Sequence, residues 1–187
     1  MRIIAGAAKG TRLGPVPPGT RPMSDMAREG LFASLGDAVE GARCLDLFAG
    51  TGAVGIEAWS RGATEVVFVE RSTKAIGTIR DNIARAHVSE GVEVVRAEVA
   101  AWLTGHAAAQ GVFDLVFCDP PYDVSGPPLD RILGALDAGW LAPESWTLML
   151  TRGHKSSAPV VPVHWAVRRQ LRYGDSLLTQ YREERWA

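Results

Sequence analysis

Asp119-Pro120-Pro121-Tyr122 follows directly on the apolar run Phe113 to Cys118, F-D-L-V-F-C. The run reads as a strand buried on both faces of a parallel sheet. Two prolines forbid further ladder pairing, and Pro120 holds Asp119 extended. A carboxylate, a rigid turn and an aromatic ring are therefore presented together at the carboxyl end of a strand, the edge at which open α/β sheets bind ligands. A carboxylate there can accept hydrogen bonds from a polar group held against the ring. Asp-Pro-Pro alone is also an ordinary turn, so its meaning depends on the rest of the chain.

A second constellation lies upstream. Arg43 to Phe48 (R-C-L-D-L-F) reads as the first core strand and runs into Ala49-Gly50-Thr51-Gly52-Ala53-Val54-Gly55, with Glu70 at the end of the next strand. The spacing is a literal G-x-G-x-x-G between strand and helix, with an acidic residue 20 positions after Gly50, which satisfies the dinucleotide fingerprint. A nicotinamide-dependent enzyme is thus one reading. Asp46 argues against it, because a pyrophosphate gains nothing from a nearby carboxylate, whereas a cofactor bearing a cation does. Hydride transfer also has no use for the D-P-P-Y turn.

The elements that position these groups alternate along the chain. Ser24 caps a helix running to about Leu35, stopped by Gly36. After the first strand and glycine loop a helix runs to Arg61, then come strand Glu65 to Glu70, a helix from the Ser72 cap through about His87, and strand Val92 to Ala97. A short helix over Val99 to Leu103 leads to the Phe113 strand. Helix Asp130 to Asp137, strand Trp146 to Thr151 and a hairpin of Trp165 to Leu171 with Leu177 to Arg182, turned at Gly174-Asp175, complete the chain. Strands alternating with helices at this spacing predict right-handed crossovers and a doubly wound α/β sheet.

Composition sets the bounds. The 187 residues, 47% hydrophobic and 22% charged, suit one domain with one well-filled core. No apolar run approaches the roughly 20 residues of a membrane span, and the N-terminus lacks signal-peptide features; the expectation is a cytoplasmic protein. Cys44 and Cys118 fall in core strands and read as buried free thiols. His87, His106, His154 and His164 show no ligand spacing, so no metal is expected. Trp59 and Trp102 lie on helices and read as core. The net charge of −1 hides a +3 segment over residues 1–35 and a +4 segment over 150–187. Basic ends around an acidic centre fit a polyanion held by the flanks, although surface charge alone would look the same. Residues 1–22 read as a basic hairpin or arm outside the main fold, with Arg2, Lys9, Arg12 and Arg21 as contacts to a phosphate backbone.

Taken together, D-L-F-A-G-T-G at 46–52, Glu70 and D-P-P-Y resemble the S-adenosylmethionine-dependent methyltransferases of exocyclic amino groups. With R-I-I-A-G at 2–6 and R-P-M-S-D-M-A-R-E-G-L-F from Arg21 to Phe32, the chain resembles the bacterial RsmD family, which methylates N2 of one 16S rRNA guanine, the G966 type. The resemblance implies a seven-stranded Rossmann-like class I methyltransferase sheet with a C-terminal antiparallel hairpin. It implies S-adenosylmethionine contacts from Asp46, Phe48, Ala49, Gly50, Thr51, Gly52, Glu70, Arg71, Glu98, Val99 and Asp119, with Glu70 on the ribose hydroxyls and Glu98 near the adenine amine. Asp119, Pro120, Pro121 and Tyr122 would form the catalytic turn. Asp119 and the Pro120 carbonyl would accept from the amine and Tyr122 would stack on the flipped base. The implied partner is 16S rRNA within a 30S subunit, met by a monomer and without a membrane.

Arg28 and Glu29 match the family run and would lie near cofactor or RNA, or else form an exposed charged face. Thr151-Arg152 is given no role beyond structure. Three other functions stay open on the residues alone: a DNA adenine-N6 or cytosine-N4 methyltransferase using the same turn, an RNA-binding module, and the nicotinamide enzyme.

Overall fold

The computed structural model of the chain describes all residues except 17–21, 111, 144 and 185–187, with the side chains of 107–110 also left aside. Strands β1 (Arg43–Leu47), β2 (Glu65–Glu70), β3 (Val92–Arg96), β4 (Leu115–Cys118), β5 (Thr147–Gly153), β6 (Trp165–Tyr173) and β7 (Ser176–Glu183) form one sheet in the order β3-β2-β1-β4-β5-β7-β6. The first five strands pair in parallel; β7 pairs antiparallel with β5 and β6. The chain builds outward from β1 to β3, then returns to place β4 on the other side of β1. That reversal is the switch point at which a crevice opens above the strand ends.

Helices α1 (Asp25–Leu35), α2 (Ala53–Ser60), α3 (Thr73–Arg85), α4 (Val99–Gln110) and α5 (Pro127–Asp137) cover the two faces. Strand side chains alternate between two cores. Cys44, Val66, Phe68, Leu115 and Phe117 meet Leu31, Phe32, Ile56 and Ile79 of α1, α2 and α3. Leu45, Val67, Val69, Val116 and Leu148 meet Leu103 of α4 and Leu133 of α5, together with Trp140. Trp102 belongs to this second core, 4.4 Å from Trp140 between ring centroids. Both cysteines are buried and unpaired. Among the described residues no helix is long and apolar enough to cross a membrane.

Several element bounds differ from those read off the sequence. Helix α4 continues through Gln110 rather than stopping near Leu103, because Ala and Leu carry a helix past the lone Gly105. Helix α5 begins three residues early, with Pro127 and Pro128 in its first turn, where the missing N–H would have no intrahelical partner anyway. Strand β4 begins at Leu115, since Phe113 leaves the sheet ladder to bridge Leu141.

The N-terminal segment is corrected more substantially. It is a hairpin, with Arg2 bridged to Arg12, but it lies in the fold rather than outside it. Ile3, Ala8 and Leu13 are buried. The Ile4 and Ala5 amides donate to the Glu57 carboxylate at 2.8 and 3.0 Å, the Ala8 amide to Ser60 Oγ at 2.9 Å, and the Gly14 amide to Asn82 Oδ1 at 2.7 Å. A Cβ at Gly6, where φ is +80°, would stand 1.7 Å from the Ser60 carbonyl oxygen. The hairpin can therefore dock on α2 only with glycine there.

Arg28 likewise occupies neither expected position. It is fully buried, paired with Asp25 at 3.0 Å and Glu57 at 3.6 Å, and it donates to the Arg2 carbonyl. Its guanidinium ties hairpin, α1 and α2 together, while Glu29 on the next position faces solvent.

Candidate active site

A cleft of about 700 Å³ opens above the carboxyl ends of β1, β2, β4 and β5. The backbone that forms its floor is unusual: Phe48, Gly50 and Gly52 have φ of 58°, 57° and 73°. Alternate left-handed residues coil the chain tightly between β1 and α2, and the non-glycine Phe48 stores strain on the order of 1 kcal/mol. Gly52 becomes the N-cap of α2 and gives its own amide to the Ala49 carbonyl at 2.7 Å.

Asp46 is buried beneath this loop, and one of its oxygens accepts from the Gly55 amide at 3.0 Å. Burial, opposed by that hydrogen bond and assisted by the charges of Asp119 and Glu70, raises its carboxyl to about 7. One first-turn amide of α2 is thus already taken by the chain's own acid. A pyrophosphate placed there would meet a carboxylate, whereas a cation would stabilise it. Glu70 accepts from the Gly50 amide at 3.0 Å and the Ser72 amide at 2.8 Å, one bond to each oxygen. Each oxygen keeps a second acceptor site for a ligand hydroxyl.

On the other side of the switch point, β4 delivers Asp119, Pro120, Pro121 and Tyr122 to the same cleft. Burial raises the Asp119 carboxyl to about 6, so it is ionised at neutral pH yet poorly solvated and a strong acceptor. Tyr122 is 59% exposed at the rim. The cleft is lined by three carboxylates, Asp46, Glu70 and Asp119, with an aromatic ring at its mouth.

Of the expected cofactor residues, Asp46, Phe48, Ala49, Gly50, Thr51, Glu70, Arg71 and Asp119 line this cleft. Gly52, Glu98 and Val99 are not among its lining residues. Glu98 instead turns back to accept from the Ala100 and Ala101 amides at 3.1 and 2.7 Å, drawn by the unpaired N–H groups of the first turn of α4. Val99 is buried in the core. Arg2, Lys9 and Arg12 are exposed on the hairpin, and Arg21 lies outside the described residues. Among the described residues no group of three or more His, Cys, Asp or Glu is placed to hold a metal ion.

The structure adds residues that the sequence reading left out. Ser24, Met26 and Ala27 at the start of α1, Thr151 and Arg152 of β5, and Tyr173, Gly174, Ser176 and Leu178 of the hairpin all line the cleft. Met26 is 69% exposed although apolar, an exposure that its place on the apolar helix pattern did not reveal. Nothing local marked Tyr173. A Cβ at Gly30 would stand 1.6 Å from its hydroxyl, so a glycine in α1 lets the β6 tyrosine close the cleft wall.

Residues 1–182 match a family model described as conserved hypothetical protein 95. The chain is 33% identical over 187 residues to ribosomal RNA small subunit methyltransferase D of Escherichia coli (strain K12), covering 98% of this chain and 90% of that protein. The same-named protein of Haemophilus influenzae is 32% identical over 178 residues, covering 93% and 89%. Among solved structures, the putative methyltransferase yhhF of Escherichia coli superposes with a TM-score of 0.83 at 33% identity over 98% of both chains. A hypothetical protein of Thermus thermophilus superposes with a TM-score of 0.81 at 30% identity, over 96% of this chain and 98% of that one.

Proposed function

We propose, from the premise that this chain belongs to the RsmD family described as conserved hypothetical protein 95, that it is an S-adenosylmethionine-dependent methyltransferase of small-subunit ribosomal RNA. Its target is the exocyclic N2 amine of a guanine of the G966 type. The observation that carries this reading is the convergence on one cleft of Asp119, raised to about 6, with Asp46 and Glu70.

The cleft suits the cofactor by charge and by hydrogen bonding. Asp46 and Glu70 offer two carboxylates to a ligand that carries a sulfonium and an amine, and the free acceptor sites of Glu70 suit ribose hydroxyls. The floor from Phe48 to Thr51 supplies backbone in place of bulky side chains. The group supplied by the cofactor when bound is a methyl on a positively charged sulfur.

Everything else falls to the chain. Guanine N2 is a weak nucleophile because its lone pair is delocalised into the ring. Asp119 and the Pro120 carbonyl accept from its two hydrogens, turning the lone pair out of the ring plane, and the charged acceptor contributes about twice as much as the neutral one. Asp119 is also a base of suitable strength to receive the proton that N2 must lose. Tyr122 stacks on the flipped base, which costs a few kcal/mol to unstack from its neighbours. The larger part of the acceleration comes from alignment of N2 with the methyl carbon.

The partner in this reading is 16S rRNA carried in an assembling 30S subunit in the cytoplasm, met by a monomer whose hairpin sets Arg2, Lys9 and Arg12 against the backbone. The test is transfer of a labelled methyl group from S-adenosylmethionine to small subunits, followed by nucleoside digestion. N2-methylguanosine is the expected product. Methylated adenine or cytosine from DNA, with unlabelled subunits, would overturn the assignment while keeping the chemistry of the turn.

A further inference from the structure

A second pocket, of about 430 Å³, lies on the outer side of Tyr122 and is lined by Tyr122, Gly153, His154, Lys155, Ser156 and Asp175. Tyr122 is the one residue it shares with the cleft. A side chain on Gly153 would place its Cβ 3.4 Å from Tyr122 Cε1, so the ring lies over the turn that follows β5 and forms a partition between the two spaces. The turn is fixed. The His154 amide donates to the Asp175 carbonyl at 2.8 Å, the Ser156 amide to the Gly153 carbonyl at 3.0 Å, and the Arg152 guanidinium to the Ser156 carbonyl at 3.4 Å and to that of Ser157.

We propose that this pocket seats a backbone phosphate of the nucleotide next to the methylated one, held by the Lys155 ammonium and the Ser156 hydroxyl, with His154 beside them. The inference rests on the RNA-methyltransferase reading above. A base drawn into the cleft leaves its neighbour and the connecting phosphodiester outside, and Tyr122 marks that boundary. The donors past the boundary are those a phosphate oxygen accepts from, namely an ammonium and a hydroxyl. Of the pocket's charged side chains, Lys155 is the cation and Asp175 the carboxylate, and Asp175 lies 3.6 Å from His154 Nδ1, which leaves the Lys155 ammonium as the group that would attract an anion. Lys155 is exposed and long enough to follow the backbone as it settles.

The experiment measures methyl transfer to small subunits over a range of salt concentrations. Lys155→Ala should raise KM about three- to tenfold. It should also flatten the salt dependence of log kcat/KM by about one unit. Saturated kcat and cofactor Kd should not change, and Lys155→Arg should restore both lost quantities. Asp175→Asn suits the Gly174-Asp175 turn and removes the one facing carboxylate; it should lower KM, a gain that a folding defect does not produce. Parental KM and salt slope in Lys155→Ala, or a higher KM in Asp175→Asn, would overturn the phosphate seat. A parental protein that labels no subunits at all would instead overturn the RNA reading on which it rests.

Discussion

Replacing Asp119 by Asn keeps the shape of the turn and removes its charge, and the structure sets what should follow. Burial holds the Asp119 carboxyl at about 6 against an ordinary value of 3.8. Between those values the folded state retains a proton that the unfolded state has lost. Stability therefore falls as pH rises from 3.8 through 6, and above that the ionised group costs the fold up to about 3 kcal/mol. Asn does not carry this cost, so at pH 7.5 the variant should unfold at a denaturant concentration no lower than the parent. Turnover should move the other way. The parent gains about tenfold in kcat between pH 5 and 7.5 as the acceptor ionises. Asp119→Asn should lose a factor on the order of 100 or more at pH 7.5 and lose that acidic limb, with cofactor Kd little changed. Methyl-transfer rates on saturated substrate across this range, with urea melts at each pH, test both halves. A variant that keeps more than a tenth of parental turnover, or that keeps the limb, refutes the acceptor role. One that unfolds more easily refutes the argument from desolvation.

Other consequences follow from the same geometry. Because Asp46 stands at about 7 and must ionise to face a cation, S-adenosylmethionine should bind roughly thirtyfold more weakly at pH 5.5 than at pH 8, as titration calorimetry would report; a flat profile would remove Asp46 from cation recognition. Glu70→Ala removes the acceptor shared by the Gly50 and Ser72 amides and should raise cofactor Kd tenfold or more, with kcat recovering at saturating cofactor. Glu57→Ala leaves the buried Arg28 with Asp25 as its one carboxylate partner and frees the Ile4 and Ala5 amides. It should cost about 3–5 kcal/mol in urea melts, and hydrogen exchange should show lost protection at those two amides.

Much of this protein is written locally in its chain. The alternation of apolar strands with capped helices fixes a doubly wound sheet, because period-2 and period-3.6 patterns and the Ser24 and Ser72 caps act over a few residues. D-L-F-A-G-T-G, Glu70 and D-P-P-Y each stand at a strand end, so the sheet brings them to one edge without further instruction. Three placements were decided only in the folded chain, two of them by contacts distant in sequence. The N-terminal hairpin is part of the fold because Glu57 and Ser60, more than 50 positions away, accept its amides. Glu98 is turned from the cleft by the unpaired amides of α4, a competition that residue type alone does not decide. Arg152 and Tyr173 line the cleft because β7 runs antiparallel to β5 and carries the hairpin tip back to the strand ends. No short motif marks such a placement, since it is set by which edge of the sheet the last two strands join.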